Sequence, residues 1–191
     1  MNELQFGAAL AGAQNGEQSA LSVLWREHHP YLLRYLRTRH RACDVEDVAG
    51  DTWLRVSRSL RRFAGEEPAF RAWFFTIARA ASADWHRSAA RRPDMVFDTD
   101  MESREPSRHG NPESDAMASF DTARAILLLA ELPPQQSEAI SLRVIAGLDT
   151  ERVAEIMNKR PGTVRVLQHR GLRRLAQLLS AAESVETDVT P

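Results

Sequence analysis

The sequence predicts an all-α protein: two small helical domains joined by a flexible acidic linker. Apolar residues recur every three to four positions over most of the 191 residues, as in amphipathic helices. Charge is distributed unevenly along the chain. Residues 1–92 contain 14 basic and 10 acidic residues, and residues 122–191 contain 9 basic and 8 acidic residues. Residues 93–121, in contrast, contain 2 basic and 8 acidic residues. Residues 92–116 are rich in Pro, Ser and acids, so they bury too little apolar surface to offset the entropy of ordering.

Three helices are predicted in the first domain, residues 1–92. They cover Ser19–Leu36, Asp44–Leu60 and Phe70–Arg87. Asp44 is the expected N-cap of the second helix, because a short acidic side chain accepts hydrogen bonds from the N–H groups of a first turn. The third helix is rich in aromatic residues, and we expect Trp73 among them to belong to the core.

A helix-turn-helix is predicted in the second domain, residues 120–180. Two helices precede it, Phe120–Leu132 and Gln135–Ala146, the latter ending at Gly147. The motif consists of a short helix from an N-cap at Asp149 or Thr150 to about Met157, a turn at 158–160, and a helix that begins at Pro161. We expect residues 93–119 to form the flexible linker and residues 181–191 a disordered tail.

The last helix carries a charge pattern typical of DNA binding. Residues 159–174 contain six basic residues and no acid. Four side chains near its start lie off the apolar stripe and are expected to face base edges: Thr163, Arg165, Gln168 and His169. Three further side chains suit phosphates: Arg170, Arg173 and Arg174. The alternative is a basic amphipathic helix of a small bundle whose charges are only solvated.

The first domain offers two candidate surfaces. On the outer face of helix 44–60, acids are mixed with Leu54 and Arg55, which fits either a protein-docking surface or a solvated face. Gly50 lies in the middle of this helix at a cost of about 1 kcal/mol relative to Ala, without a reason in the sequence. After it, arginines at helical spacing precede Phe63 and the loop 64–68. This pattern resembles a single-strand binding site, and Phe63 serves either as a base contact or as core.

Other classes of function find little support in the composition. The single cysteine, Cys43, excludes an internal disulfide framework and a Cys-cluster metal site. The longest apolar run, Ala125–Ala130, is far too short to cross a bilayer, and the first ten residues lack a basic signal-peptide region, so we expect a soluble, cytoplasmic protein without direct membrane contact. A glycine-rich phosphate loop and a nucleophile elbow are both missing. We therefore expect no enzyme activity, no catalytic residue, no cofactor and no metal.

Four motifs in a fixed order resemble one family. Asp44–Val56, Phe70–Arg79, Leu132-Pro-Pro-Gln135, and Gly162-Thr-Val-Arg165 followed by His169-Arg170 are together similar to the extracytoplasmic-function, or group-four, sigma factors of the sigma-70 family. The resemblance covers roughly residues 5–92 and 120–179, and the arginine-rich sequence resembles that of actinobacterial members of the family. It implies that residues 1–92 form the region-two domain and residues 120–180 the region-four helix-turn-helix.

The resemblance also implies partners and site residues. The partners are core RNA polymerase, promoter DNA and an anti-sigma factor, and the free chain is a monomer. The surface that docks on the polymerase falls on Asp47, Asp51, Leu54 and Arg55. The surface that reads the minus-ten element falls on Arg55, Arg58, Ser59, Arg62 and Phe63. The surface that reads the minus-thirty-five element falls on Thr163, Arg165, Gln168, His169, Arg170 and Arg173.

Two rival functions remain open at this point. A free-standing helix-turn-helix regulator binds a duplex site without polymerase, but residues 1–92 lack a ligand-pocket signature. A helical adaptor without DNA contact is disfavoured by the acid-free segment 159–174. The salt dependence of the activity distinguishes the two, because contacts to DNA phosphates weaken as the salt concentration rises. Activity that does not depend on salt would favour the adaptor.

Overall fold

The computed structural model describes residues 1–91 and 122–187, with side chains up to residue 180. Its helices are α1 (Glu3–Gln14), α2 (Gln18–Arg37), α3 (Ala42–Ser59), α4 (Glu67–Ala89), α5 (122–130), α6 (Pro134–Val144), α7 (Thr150–Met157) and α8 (Pro161–Thr187). A single 3-10 turn, Leu60–Arg62, follows α3. The predicted all-α class is confirmed, whereas the predicted linker and residues 188–191 lie outside the described residues.

The first domain is a bundle of α1 to α4 around the aromatic helix α4. Phe70, Phe74 and Phe75 of α4 are fully buried. They pack against apolar side chains of α2 and α3: Leu24, Leu32, Leu36, Val48 and Val56. Trp73 packs against the same cluster but is only half-buried, since it lies at the edge near the 3-10 turn.

Helix α1 was not predicted from the sequence. Its start is a capping box, in which Asn2 Oδ1 accepts a hydrogen bond from Gln5 N at 2.8 Å and Gln5 Oε1 accepts one from Asn2 N at 3.1 Å. Two of its four buried residues, Ala9 and Gly12, are small, and a Cβ on Gly12 would lie 2.7 Å from Ala20 Cβ of α2. The two helices therefore pack closely on a stripe that carries little hydrophobic periodicity.

Several predicted helix ends differ from the structure. Helix α3 begins at Ala42 with Arg41 in the N-cap position, so the prediction that Asp44 caps it is wrong, and Asp44 lies in the first turn. Helix α4 begins at Glu67, with Pro68 in its first turn. Helix α8 continues to Thr187, beyond the residue 180 at which the second domain was expected to end.

The second domain packs α6 and α7 against α8. Gly171 of α8 meets α6 closely, because a Cβ there would lie 2.6 Å from Ile140 Cδ1 and 3.3 Å from Gln136 Cβ. A small residue at 171 therefore lets the two helices approach closely. Helix α6 ends at Val144, and Gly147, with φ of 64°, turns the chain towards α7.

The two domains meet at a buried carboxylate on α6. Glu138, whose side chain is 7% exposed, pairs with Arg39 Nη1 at 3.1 Å and accepts a hydrogen bond from Arg79 Nε at 2.9 Å. Both arginines belong to the first domain. Beside this cluster, the hydroxyls of Thr38 and Ser141 lie 3.3 Å apart. Because a buried carboxylate needs compensating charge, these contacts favour one specific packing of the two domains.

Candidate polymerase and promoter interfaces

The outer face of α3 presents the residues assigned to polymerase docking. Asp47 is exposed, Asp51 is half-exposed and Leu54 is 55% exposed, while the opposite face of the helix is buried. Their spacing of three to four residues places them in one row. Gly50 lies in the same row and has no atom within 4 Å of the position that a Cβ would take. The row is therefore an open strip of acids around one exposed leucine.

Arg55 is engaged within the protein. Its guanidinium donates to Asp84 Oδ2 at 2.6 Å and pairs with Asp51 Oδ2 at 2.8 Å. The hydrogen bond to Asp84, and after it the bond to Asp51, raises the pKa of Arg55. The bond from Arg55 in turn lowers the pKa of Asp84. Asp84 pairs with Arg87 as well. In this structure, then, the Arg55 guanidinium must exchange one of its two carboxylate partners before it contacts DNA or polymerase.

The minus-ten candidates surround the 3-10 turn after α3. Arg58 and Arg62 are exposed. The hydroxyl of Ser59 donates to Arg55 O at 2.6 Å, so it is turned towards its own helix. Phe63 is half-buried, and its ring centroid lies 4.9 Å from that of Trp73. One part of the ring is therefore core and the other part faces the loop.

A residue that sequence reasoning missed holds this turn. Gln14, the last residue of α1, donates from Nε2 to Leu60 O at 3.0 Å and to Phe63 O at 2.7 Å. The partners lie 46 and 49 residues away in sequence, which no local pattern reveals. The capping box at Asn2 was the one available sequence signal that a helix precedes this glutamine.

The helix-turn-helix forms as predicted. Asp149 is the N-cap of α7, and its side chain accepts a hydrogen bond from Arg152 N at 2.7 Å. Helix α7 ends at Met157, and its C-cap residue, Asn158, has the left-handed conformation with φ of 53°. Its last carbonyls are satisfied there, since Lys159 N donates to Ala154 O at 2.9 Å. This turn directs the chain into α8, whose Val164 is fully buried.

The exposed side of α8 carries most of the minus-thirty-five candidates. Five of them are exposed: Thr163, Arg165, His169, Arg170 and Arg173. Because an α-helix turns by about 100° per residue, these positions lie on one side of α8, opposite the buried Val164 and Gly171. Such a face, on the second helix of the motif, has the charge and position needed to enter a major groove.

Two contacts modify this face. Gln168 is half-buried and its Nε2 lies 3.5 Å from Ala139 O of α6, so its amide is directed towards the domain core rather than outwards. Arg165 Nη2 pairs with Glu151 Oε1 of α7 at 3.2 Å. Both partners are more than 60% exposed, so this ion pair is weak and can exchange for a DNA contact.

Two histidines, His40 and His86, pack against each other in the first domain. His40 stacks on His86 with 4.5 Å between ring centroids, and its Nε2 lies 2.7 Å from Ser82 Oγ. Burial, with the neighbouring His86 and Arg39, lowers the pKa of His40 to about 4. Within residues 1–91 and 122–187, no group of three or more His, Cys, Asp or Glu residues is placed to hold a metal ion. No helix of these same residues is long and apolar enough to cross a membrane.

Comparisons with known proteins match both domains. Sigma-70 region 2 matches residues 24–92, and Sigma-70, region 4 matches residues 123–175. The sigma factor ShbA of Streptomyces griseus is 36% identical, and the match covers 90% of this chain and 94% of that protein. BldN of Streptomyces coelicolor is 32% identical, and the match covers 87% of this chain and 63% of that protein. SigD of Mycobacterium tuberculosis is 32% identical, and the match covers 92% of this chain and 84% of that protein. All three are described as ECF RNA polymerase sigma factors.

Solved structures show the same architecture. CnrH in complex with the cytosolic domain of CnrY has a TM-score of 0.62 and 25% identity, with 91% of this chain and 96% of that chain covered. RpoE of Bartonella quintana in complex with the anti-sigma factor NepR has a TM-score of 0.59 and 25% identity, with 82% and 96% covered. In both cases the likeness extends over most of this chain.

Proposed function

The chain belongs to the extracytoplasmic-function sigma factors, alternative sigma factors of RNA polymerase, and we propose that its two domains divide promoter recognition between them. The second domain, residues 120–180, reads the minus-thirty-five element, and the first domain, residues 1–92, docks on the polymerase and opens the minus-ten element. The observation that carries the proposal is the exposed basic side of α8 on the second helix of the helix-turn-helix.

In the major groove, residues of α8 have separate tasks. Arg165 and His169, near the start of the helix, are placed to contact base edges, and an arginine discriminates guanine by about 1–3 kcal/mol. Thr163 lies in the first turn beside them. Arg170 and Arg173, farther along, neutralise phosphates and set the register of the helix. Gln168 has a supporting task, because its amide faces α6.

Polymerase docking is assigned to the α3 strip of Asp47, Asp51, Leu54 and Arg55. Leu54 supplies an exposed apolar contact, and the acids favour a basic partner surface. The acids are solvent-facing and hence available to a partner without breaking the bundle. Arg55 joins the strip through its pair with Asp51.

The minus-ten element is assigned to the turn after α3. Arg58 and Arg62 attract the phosphate backbone, Arg55 and Ser59 border the surface, and Phe63 with the following loop holds an unstacked base. Stacking of a base on an aromatic ring contributes about 1–3 kcal/mol. That gain offsets part of the few kcal/mol needed to take a base out of the duplex.

Promoter binding requires the two domains to separate. The two elements are centred roughly 25 base pairs apart, about 85 Å of B-DNA at 3.4 Å per step. A folded body of about 160 residues has a radius of gyration near 15 Å and a diameter near 40 Å, so the packed domains cannot reach both elements. The 30 residues from 92 to 121 could extend to about 100 Å. The contacts of Glu138 are therefore broken in the initiating complex.

The cellular setting follows from this role. The chain acts with core RNA polymerase in the cytoplasm, as a binding protein rather than an enzyme. Because a solved relative is bound to an anti-sigma factor, we include such a protein among its partners. The free chain is proposed to be a monomer.

A transcription assay tests the proposal. Purified protein is added to sigma-free core polymerase and a promoter library, and transcript starts are sequenced. We expect starts that share two upstream elements. The double variant Arg165→Ala, Arg170→Ala should lose the upstream preference, whereas Arg124→Ala, an exposed arginine on α5, should keep it. If transcription is not stimulated and the chain alone binds a duplex site, it is a free-standing regulator instead.

A further inference from the structure

The amide of Gln14 joins the end of α1 to the turn that carries Phe63. Its Nε2 donates two hydrogen bonds, to Leu60 O at 3.0 Å and to Phe63 O at 2.7 Å. A glutamine amide has two N–H groups, so both bonds are formed together. One side chain of the N-terminal helix thus holds both ends of the 3-10 turn.

The Phe63 carbonyl in particular needs this donor, because the chain leaves the helix there, whereas the Leu60 carbonyl also accepts a backbone hydrogen bond. Phe63 is extended, with φ of −72° and ψ of 134°, so its carbonyl does not continue the helical pattern. The Phe63 N–H donates back to Leu60 O at 3.0 Å and closes the turn. An unpaired, partly buried carbonyl would cost about 1–3 kcal/mol, and water or a new backbone path would replace the lost bond.

The same helix supports the ring of Phe63 from the other side. Phe6 of α1 is buried and contacts Phe70 edge to face, with 5.4 Å between ring centroids. Phe70 in turn contacts Phe63 at 5.5 Å. Helix α1 therefore fixes the Phe63 backbone directly through Gln14 and its ring indirectly through Phe70.

We infer that Gln14 is a positioning residue for the minus-ten surface, one that holds Phe63 and the loop after it in the conformation that receives an unstacked base. This inference rests on the function proposed for Phe63. A platform held in place before binding does not lose freedom when the base arrives, and small displacements of such a group reduce its effect strongly. Helix α1 is thereby part of the promoter-reading apparatus, although it contributes no basic side chain to it.

The test uses an isosteric change. In Gln14→Glu the donating amide becomes a carboxylate, whose oxygens repel the two carbonyls. The matched control is Gln18→Glu, since Gln18 is exposed at the start of α2. Each variant is assembled with core polymerase. Three quantities are measured. The first two are holoenzyme formation and binding to a duplex promoter. The third is base preference, which is the ratio of affinities for two pre-opened promoters, one with the best minus-ten base and one with that base substituted.

We expect Gln14→Glu to lower the preference on the pre-opened promoter by about tenfold, with holoenzyme formation and duplex binding within about twofold of the parent. The control should leave all three unchanged. Equal losses in all three quantities would mean that the residue serves general stability and would overturn the inference, as would an unchanged preference. If Gln14→Glu does not fold, Gln14→Leu, which removes the donor without adding charge, gives the same reading.

A second pair of variants distinguishes this inference from the function on which it rests. Phe63→Ala should itself remove the base preference, and Gln14→Glu should then have no further effect in that background. If Phe63→Ala keeps the preference, the function proposed for Phe63 is wrong. If Phe63→Ala removes it and Gln14→Glu alone does not, only the inference about Gln14 is wrong.

Discussion

The substitution Glu138→Gln is expected to open the packed arrangement of the two domains. The side chain is 7% exposed and its counter-charges, Arg39 and Arg79, lie in the other domain. Glutamine keeps the shape but removes the charge. The Arg79 side chain is 39% exposed, so solvent screens that pair and the Arg39 pair contributes most. Hydrogen bonds to charged groups contribute about 1.5–3 kcal/mol, which corresponds to a shift of about 10- to 100-fold towards separated domains.

Energy transfer between two dyes measures this shift. Cys43 is the single cysteine of the chain and is exposed, so it takes one dye in the first domain. Ala176→Cys, at an exposed position of α8, provides the second site. We expect the ratio of low-transfer to high-transfer molecules to rise about 10- to 100-fold in Glu138→Gln. Glu155→Gln, a change at an exposed acid on α7, should keep the parent distribution.

The reasoning is refuted by a Glu138→Gln protein that retains its helical circular dichroism and shows the parent transfer efficiency. That result would mean that the other contacts between the domains hold them together without the charge of Glu138. A second readout is the affinity of the assembled holoenzyme for promoter DNA. Because the closed form must open before both promoter elements are reached, holoenzyme made with Glu138→Gln should bind promoters more tightly than the parent holoenzyme.

Three further outcomes are expected. Gly50→Ala should raise the free energy of unfolding by about 1 kcal/mol in chemical denaturation, since the position is helical and open; unchanged or lower stability would contradict this. Burial lowers the pKa of His28 to about 4, so the unfolded chain binds more protons than the folded chain between about pH 6.5 and pH 4, and stability should fall as pH falls through that range. The slope of the unfolding free energy against pH should be smaller in His28→Phe than in the parent. An equal slope in both proteins would contradict this prediction. Gly171→Val should overpack the contact with Ile140 and cost about 1–3 kcal/mol in thermal unfolding, whereas a neutral effect would show that α6 can move away.

Local patterns predicted the helices that carry large apolar residues. Helices α2 to α4 and α6 to α8 follow an apolar stripe, and the turn at 158–160 contains Asn158, which tolerates the left-handed conformation. Helix α1 escaped prediction because its buried side includes Ala9 and Gly12, whose small size gives little periodicity. Its capping box was visible in the sequence but is too short a signal to define a helix.

The contacts that modify the candidate site are distant in sequence. Asp84, which engages Arg55, is 29 residues from it, and Arg79 is 59 residues from Glu138. Spacing rules treat neighbours within one helix, so they placed Asp51 and Leu54 correctly on an outer face but left Arg55 free. Gln168 shows the same limit, since only the packing of α6 against α8 determines where its amide points.

With the docking surface and the minus-ten surface assigned as proposed above, the ion cluster of Arg55 couples polymerase binding to DNA binding. One guanidinium cannot serve Asp51, Asp84 and a DNA phosphate together. A polymerase that takes up the Asp51 carboxylate therefore releases part of the Arg55 charge for DNA, and DNA that takes up Arg55 leaves Asp51 free for the polymerase. Each ligand then raises the affinity of the other by the same factor. On that proposal, helix α3 favours a chain that holds polymerase and promoter at once over a chain that holds either alone.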